Sequence, residues 1–177
     1  METKNFNKLL LKTAFSCMAC DGEIDHREVK LIKMLHDSHQ TFGDIDIQSE
    51  LDSLLLAINH DGHKFLKDYF SELSSASLSQ ENELKLIEVA IDTIKADDEV
   101  EYSEVKFFKV IRSKLKIDDE PILEIHPDFE EYLEQDIMSN SYLSKLQDDF
   151  FDTHISTEFK LVNEISTNIL NNIDLNN

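Results

Sequence analysis

Two stretches of this chain carry one pattern, and its outward continuation is helical. Residues 20–29 read Cys-Asp-Gly-Glu-Ile-Asp-His-Arg-Glu-Val, and residues 96–105 read Ala-Asp-Asp-Glu-Val-Glu-Tyr-Ser-Glu-Val. Superimposed, they match Asp21 to Asp97, Glu23 to Glu99, Ile24 to Val100, Asp25 to Glu101, Glu28 to Glu104 and Val29 to Val105. Leu10 and Ala14 pair with Leu86 and Ala90 on one side, and Lys30 and Lys33 with Lys106 and Lys109 on the other. An acidic turn flanked by apolar residues at helical spacing describes a helical hairpin. Two hairpins of this kind bury their apolar faces best against each other.

The rest of the chain supports an all-α fold. Three Gly and two Pro in 177 residues are too few for the turns of a sandwich or barrel, and an apolar share of 41% suffices for a core. A first helix is expected from about Asn5 to Cys20, apolar on most of its circumference, and a second from near His26, to which Val29, Leu31, Ile32, Met34 and Leu35 give a wide apolar face. Leu84 to Ile94 and Val105 to Leu115 repeat the arrangement. Between the copies a helix carrying Ile47, Leu51, Leu54, Leu55 and Ile58 starts after Asp44 or Asp46 as cap and ends at Asn59-His-Asp-Gly62. The next carries Phe65, Leu66, Tyr69, Phe70 and Leu73, and after a polar loop Ser79 is placed to cap the second copy.

Beyond Ile117 the composition shifts. Residues 118–152 are rich in carboxylates with Lys145 as their one lysine, and Pro121 and Pro127 break the run into short helices expected on the outside of the core. From Ser156 a last segment carries Phe159, Val162, Ile165, Ile169 and Leu170 at helical spacing, suited to dock on the body or on a second subunit. The chain therefore divides into a duplicated helical domain, residues 1–117, and an acidic helical extension, residues 118–177.

The formal charge of −20 argues against nucleic acid and against anionic membrane surfaces, because either contact works against the protein's own field. Cations and basic protein surfaces remain as partners, as does the plain solubility of an acidic protein. No run resembles a signal peptide or reaches membrane-spanning length, and two closely spaced cysteines make no disulfide framework, so the expected location is the cytoplasm.

In an EF-hand frame Asp21 and Gly22 take loop positions five and six, Asp25 position nine and Glu28 the bidentate position twelve. Positions one and three then fall on Cys17 and Ala19, and in the second copy on Thr93 and Lys95, where calcium needs oxygen donors. The turns are therefore not EF-hand loops. Asp25 with Glu28 fits a capping box, and acids in a first turn suit the helix dipole. Capping does not explain Asp21 with Glu23, nor the run Asp97, Asp98 and Glu99.

The Ala19-Cys-Asp-Gly-Glu-Ile-Asp25 run into Glu28, its echo at Ala96-Asp-Asp-Glu-Val-Glu101 into Glu104, and the duplicated hairpin resemble the tellurite-resistance TerB-like domain. A related domain opens the DjlA-like co-chaperones. The resemblance covers residues 5–117. It implies an all-α fold with internal pseudo-two-fold symmetry, no enzymatic activity, and acidic residues that bind divalent metal. By position the implied ligands are Asp21, Glu23, Asp25 and Glu28, with Asp97, Asp98, Glu99, Glu101 and Glu104. An all-oxygen set suits Ca²⁺, Mg²⁺ or Mn²⁺ rather than Zn²⁺. Asp98 stands where the first copy has Gly22, so the two loops are not expected to share one geometry.

Other motifs point elsewhere. Cys17-Met-Ala-Cys20 has redox spacing, but inside an apolar helix it reads as two structural cysteines. His36 with His39, and His60 with His63, read as surface histidines near helix ends. His126-Pro-Asp128 is the tripeptide J-domains use, but the acidic, proline-broken stretch before it fits a proline-initiated turn instead. There is no Gly-rich phosphate loop and no base set beside a nucleophile. Three readings stand: a metal-binding stress-response module, a metal-independent adaptor docking a basic protein, and a metal-dependent hydrolase using the acidic turns.

Overall fold

A computed structural model of the chain describes residues 3–20, 26–95, 100 and 102–133. Among them are eight α-helices and one 3₁₀ turn, with no strand: α1 Thr3–Met18, α2 His26–His39, α3 Ile47–His60, α4 Gly62–Ser75, α5 Gln80–Ile94, α6 Tyr102–Lys114, α7 Asp119–Ile125, the turn Pro127–Phe129, and α8 Glu130–Leu133.

The core forms around α1 and α5, which share the most extensive helix contact among the described residues. Ala14 and Ala90 are both fully buried. With only a methyl group at these points, the helices that carry them can approach their neighbours closely, in the usual manner of ridges set into grooves. α1 is buried nearly all round, from Phe6 through Leu9, Leu10 and Leu11 to Met18, as its unbroken apolar circumference requires. It stops at Met18 rather than Cys20 because the last turn tightens. The Ala19 amide donates to the Phe15 carbonyl at 3.0 Å, but the Cys20 amide donates three residues back, to Cys17, at 3.3 Å.

α2 and α6 each pack on both central helices, and α3 and α4 form a pair that closes over α1. The α3–α4 junction has almost no loop. Asp61 follows the last residue of α3 and accepts from the Lys64 amide at 2.9 Å to cap α4. Asp46 caps α3 by accepting from Ser49, and Ser79 caps α5 by accepting from Asn82. All three caps are exposed.

The turn after α2 uses two left-handed residues, Gln40 at φ 47° and Gly43 at φ 60°. At Gln40 the chain reverses so that both the amide and the hydroxyl of Thr41 reach the Leu35 carbonyl, at 3.4 and 2.9 Å. Gly43 takes a left-handed φ that favours glycine, and a Cβ there would also meet Asn7 Nδ2 at 2.1 Å unless that side chain swung aside.

The described part of the acidic extension joins the same core. α7 packs on α5 and α8 on α6, burying Ile122, Phe129 and Leu133. Phe129 meets Phe108 edge-on, with ring centroids 5.3 Å apart. Arg112 at the end of α6 donates to Asp119 Oδ1 through Nε and Nη2, at 3.1 and 2.7 Å, and ties the two segments together. Among the described residues no helix is long and apolar enough to cross a membrane. The segment from Ser156 lies outside the described residues.

Candidate functional site

The acidic turns leave from the ends of the two central helices, the first between α1 and α2 and the second between α5 and α6. Asp21, Glu23, Asp25, Asp97, Asp98, Glu99 and Glu101 lie outside the described residues. So does the side chain of Glu28, whose backbone is in the first turn of α2. Glu104 is therefore the one proposed ligand whose side chain is placed. It stands three residues into α6 and is 7% exposed. A carboxylate this far out of water needs compensation from hydrogen bonds, aligned helix amides or a positive charge.

The residues that depart from the EF-hand frame are in helical or buried positions. Cys17 is buried in α1, and Thr93 in α5 turns its hydroxyl back onto the Val89 carbonyl at 2.8 Å. Ala19 is buried as well, and Lys95 caps the end of α5. Cys17 and Cys20 are both buried as thiols. His36 stacks on Phe42 with centroids 6.4 Å apart, while His60 and His63 are exposed at the α3–α4 junction. The side chain of His39 lies outside the described residues. Among the described residues no three His, Cys, Asp or Glu side chains converge closely enough to hold one metal ion.

A different acidic feature emerges from the packing. A groove of about 650 Å³ runs between α1, the end of α2, α5 and the end of α7. Its walls are apolar at Phe6, Leu10, Leu35, Val89 and Ile125, and α5 contributes Glu88 and Asp92 to its lining. Four residues apart on one helix, these two carboxylates stand on the same face. Both are half-buried, and burial pushes both carboxyls above the usual carboxylate range. His126, across the groove, draws both back down by less than burial raises them. Its Nε2 is sealed from solvent and makes no hydrogen bond. The nearest lysines have other acids to hold: Lys85 pairs with Glu81 at 2.7 Å, and Lys95 pairs with Asp128.

Little in the sequence announces this groove. Its one local signal is the Glu88–Asp92 spacing within the apolar second half of α5, and the partner face comes from residues far away in the chain. In the sequence His126 stands out only as part of a tripeptide that reads as a turn. The structure makes it the joint between α7 and the 3₁₀ turn, with Asp128 as the partner of Lys95. Comparison with known protein families, with curated proteins and with solved structures gives no match.

Proposed function

We propose that this protein is a non-enzymatic, TerB-like stress-response module of the tellurite-resistance type, acting in the cytoplasm. In this reading it binds Ca²⁺, Mg²⁺ or Mn²⁺ through two acidic turns that join the helices of two pseudo-symmetric hairpins. The observation that carries the reading is the burial of Glu104. The helices α3, α4 and α5 exemplify ordinary capping in this molecule, with Asp46, Asp61 and Ser79 exposed. Glu104, which aligns with Glu28 of the first turn, is instead drawn into the protein, as the first-turn Glu83 of α5 is. The repeat supports the hairpin symmetry: Leu10 with Leu86, Ala14 with Ala90 and Ile32 with Phe108 are all core residues in step.

Glu104→Gln tests the reading. It keeps the shape of the side chain and one acceptor oxygen, and removes the charge a cation needs. Calorimetric titration with MnCl₂, CaCl₂ and MgCl₂ is expected to show affinity at least about tenfold weaker in the variant, a loss of roughly 1.4 kcal/mol. Equal affinity in both proteins contradicts the assignment.

The groove favours a second reading, an acidic adaptor that docks a basic protein partner. Glu88 and Asp92, half-buried between apolar walls, would receive a lysine or arginine side chain with its aliphatic stem against Val89 and Leu10. A partner lost on Glu88→Gln with Asp92→Asn, and kept on Glu104→Gln, would select this reading over the first.

A further inference from the structure

We infer that the groove between α1, α2, α5 and α7 binds a small aliphatic amine, with its ammonium between Glu88 and Asp92. The carbon chain of the amine lies along the apolar wall. This inference depends on neither reading above. It shares the groove with the second of them but fills it with a small molecule instead of a protein.

Three polar groups on residues that line this groove have no partner among the described residues. Two are the carboxylates of Glu88 and Asp92, which are half-buried and neither accept a hydrogen bond nor join an ion pair. Lys85 and Lys95, the lysines nearest to them, are paired with Glu81 and Asp128. The third is Nε2 of His126, sealed from solvent and without a hydrogen bond. Native proteins leave few buried polar groups unsatisfied, and three on the residues of one groove point to a ligand.

The lining also decides the chemistry of that ligand. Carboxylates four residues apart on one helix stand about 5–6 Å from each other at Cβ, so one cation between them meets both. A divalent metal ion is poorly served there. Ca²⁺ takes about 6–8 oxygen ligands, and among the described residues no three His, Cys, Asp or Glu side chains converge on one ion. An ammonium group needs less, because two of its three N–H donors are met by Glu88 and Asp92. A neutral or anionic ligand would leave both acids unpaired, and the charge of −20 favours cations throughout.

The rest of the wall suits a carbon chain. Leu10, Leu35 and Val89 line the groove with hydrocarbon, and Ile125 adds a side chain that is 47% exposed. A methylene chain laid on these residues removes apolar surface from water while its charged end stays with the acids. The volume, about 650 Å³, falls within the range of small-molecule sites, about 300–1,000 Å³.

Calorimetric titration of the full chain, free of divalent cations and at fixed ionic strength, tests the site. The probes are n-hexylammonium, n-butylammonium and uncharged 1-hexanol, at about pH 8, where both amines are protonated. Hexylammonium is expected to bind one to one. Butylammonium, two methylenes shorter, should bind roughly tenfold more weakly, and hexanol at least about tenfold more weakly. Glu88→Gln with Asp92→Asn should weaken hexylammonium at least about tenfold while the protein stays folded, since the charges it removes have no partner. Glu120→Gln with Glu130→Gln removes the same charge from exposed acids outside the groove and should leave the affinity unchanged. The inference is overturned if hexylammonium does not bind, or binds no better than butylammonium or hexanol. It is overturned equally if the groove variant binds hexylammonium as wild type does, or if the exposed pair matters as much as the groove pair. A lysine-bearing peptide that binds through Glu88 and Asp92 where hexylammonium does not would also overturn it, and would leave the protein-docking reading standing.

Discussion

Tyr69 shows how the core tolerates polar atoms. Its ring is fully buried between Phe70 and Phe107, and its hydroxyl donates to Thr13 Oγ1 at 3.1 Å. Thr13 in turn donates to the Leu9 carbonyl at 2.9 Å, so two buried hydroxyls form a chain that ends on backbone. Burial pushes the Tyr69 phenol well up, with its bond to Thr13 opposing, and it stays protonated at any pH the fold tolerates. The chain is directional, so its two ends are unequal. Tyr69→Phe removes a donor that Thr13 can do without and should cost about 1 kcal/mol. Thr13→Val strands the Tyr69 hydroxyl in the core and should cost about 1–3 kcal/mol. Urea denaturation of the two variants gives the order. Equal losses, or the reverse order, would mean that the hydroxyl finds another partner.

At the scale of elements, most of the architecture could be read from the chain because it depends on local rules. The helices that carry Leu51, Leu66 with Phe70, and Leu86 follow from apolar spacing, and Asp46 and Ser79 are the caps their types announce. What local rules miss is a polar side chain used at long range. Glu83 sits in the first turn of α5, where any acid suits the helix dipole. In the folded chain it is also buried and accepts the Lys116 amide at 2.8 Å, fixing the chain as it leaves α6. In the sequence Asp61 likewise reads as part of a break, although it caps α4. Glu83→Ala should cost about 1–3 kcal/mol by orphaning that amide, and Glu83→Gln, which keeps an acceptor, should recover most of it. Thermal unfolding separates the two. An alanine variant as stable as the glutamine variant would show that dipole charge, not the amide contact, is what Glu83 supplies.

The molecule as a whole carries a charge of −20, and that charge sets the cost of its acidic sites. The groove of Glu88, Asp92 and His126 is illegible in the sequence because it is assembled by α1, α2, α5 and α7 together. The duplicated turns are legible as a pattern, and Glu104 is the point where that pattern meets the packed core. Removing one acid from each turn also separates specific binding from relief of self-repulsion. Without divalent cations, a variant with less negative charge should be no less stable than the parent.

The direct test is therefore the unfolding temperature of wild type and of Asp21→Asn with Asp97→Asn, with and without Mg²⁺, Ca²⁺ or Mn²⁺ at matched ionic strength. At a cation concentration about one hundred times the dissociation constant, a single site adds roughly 2.7 kcal/mol. In a chain of this size that raises the midpoint by about 5–10 °C. The account predicts such a rise in wild type and its loss in the double variant. A rise of equal size in both proteins, or none in either, contradicts it.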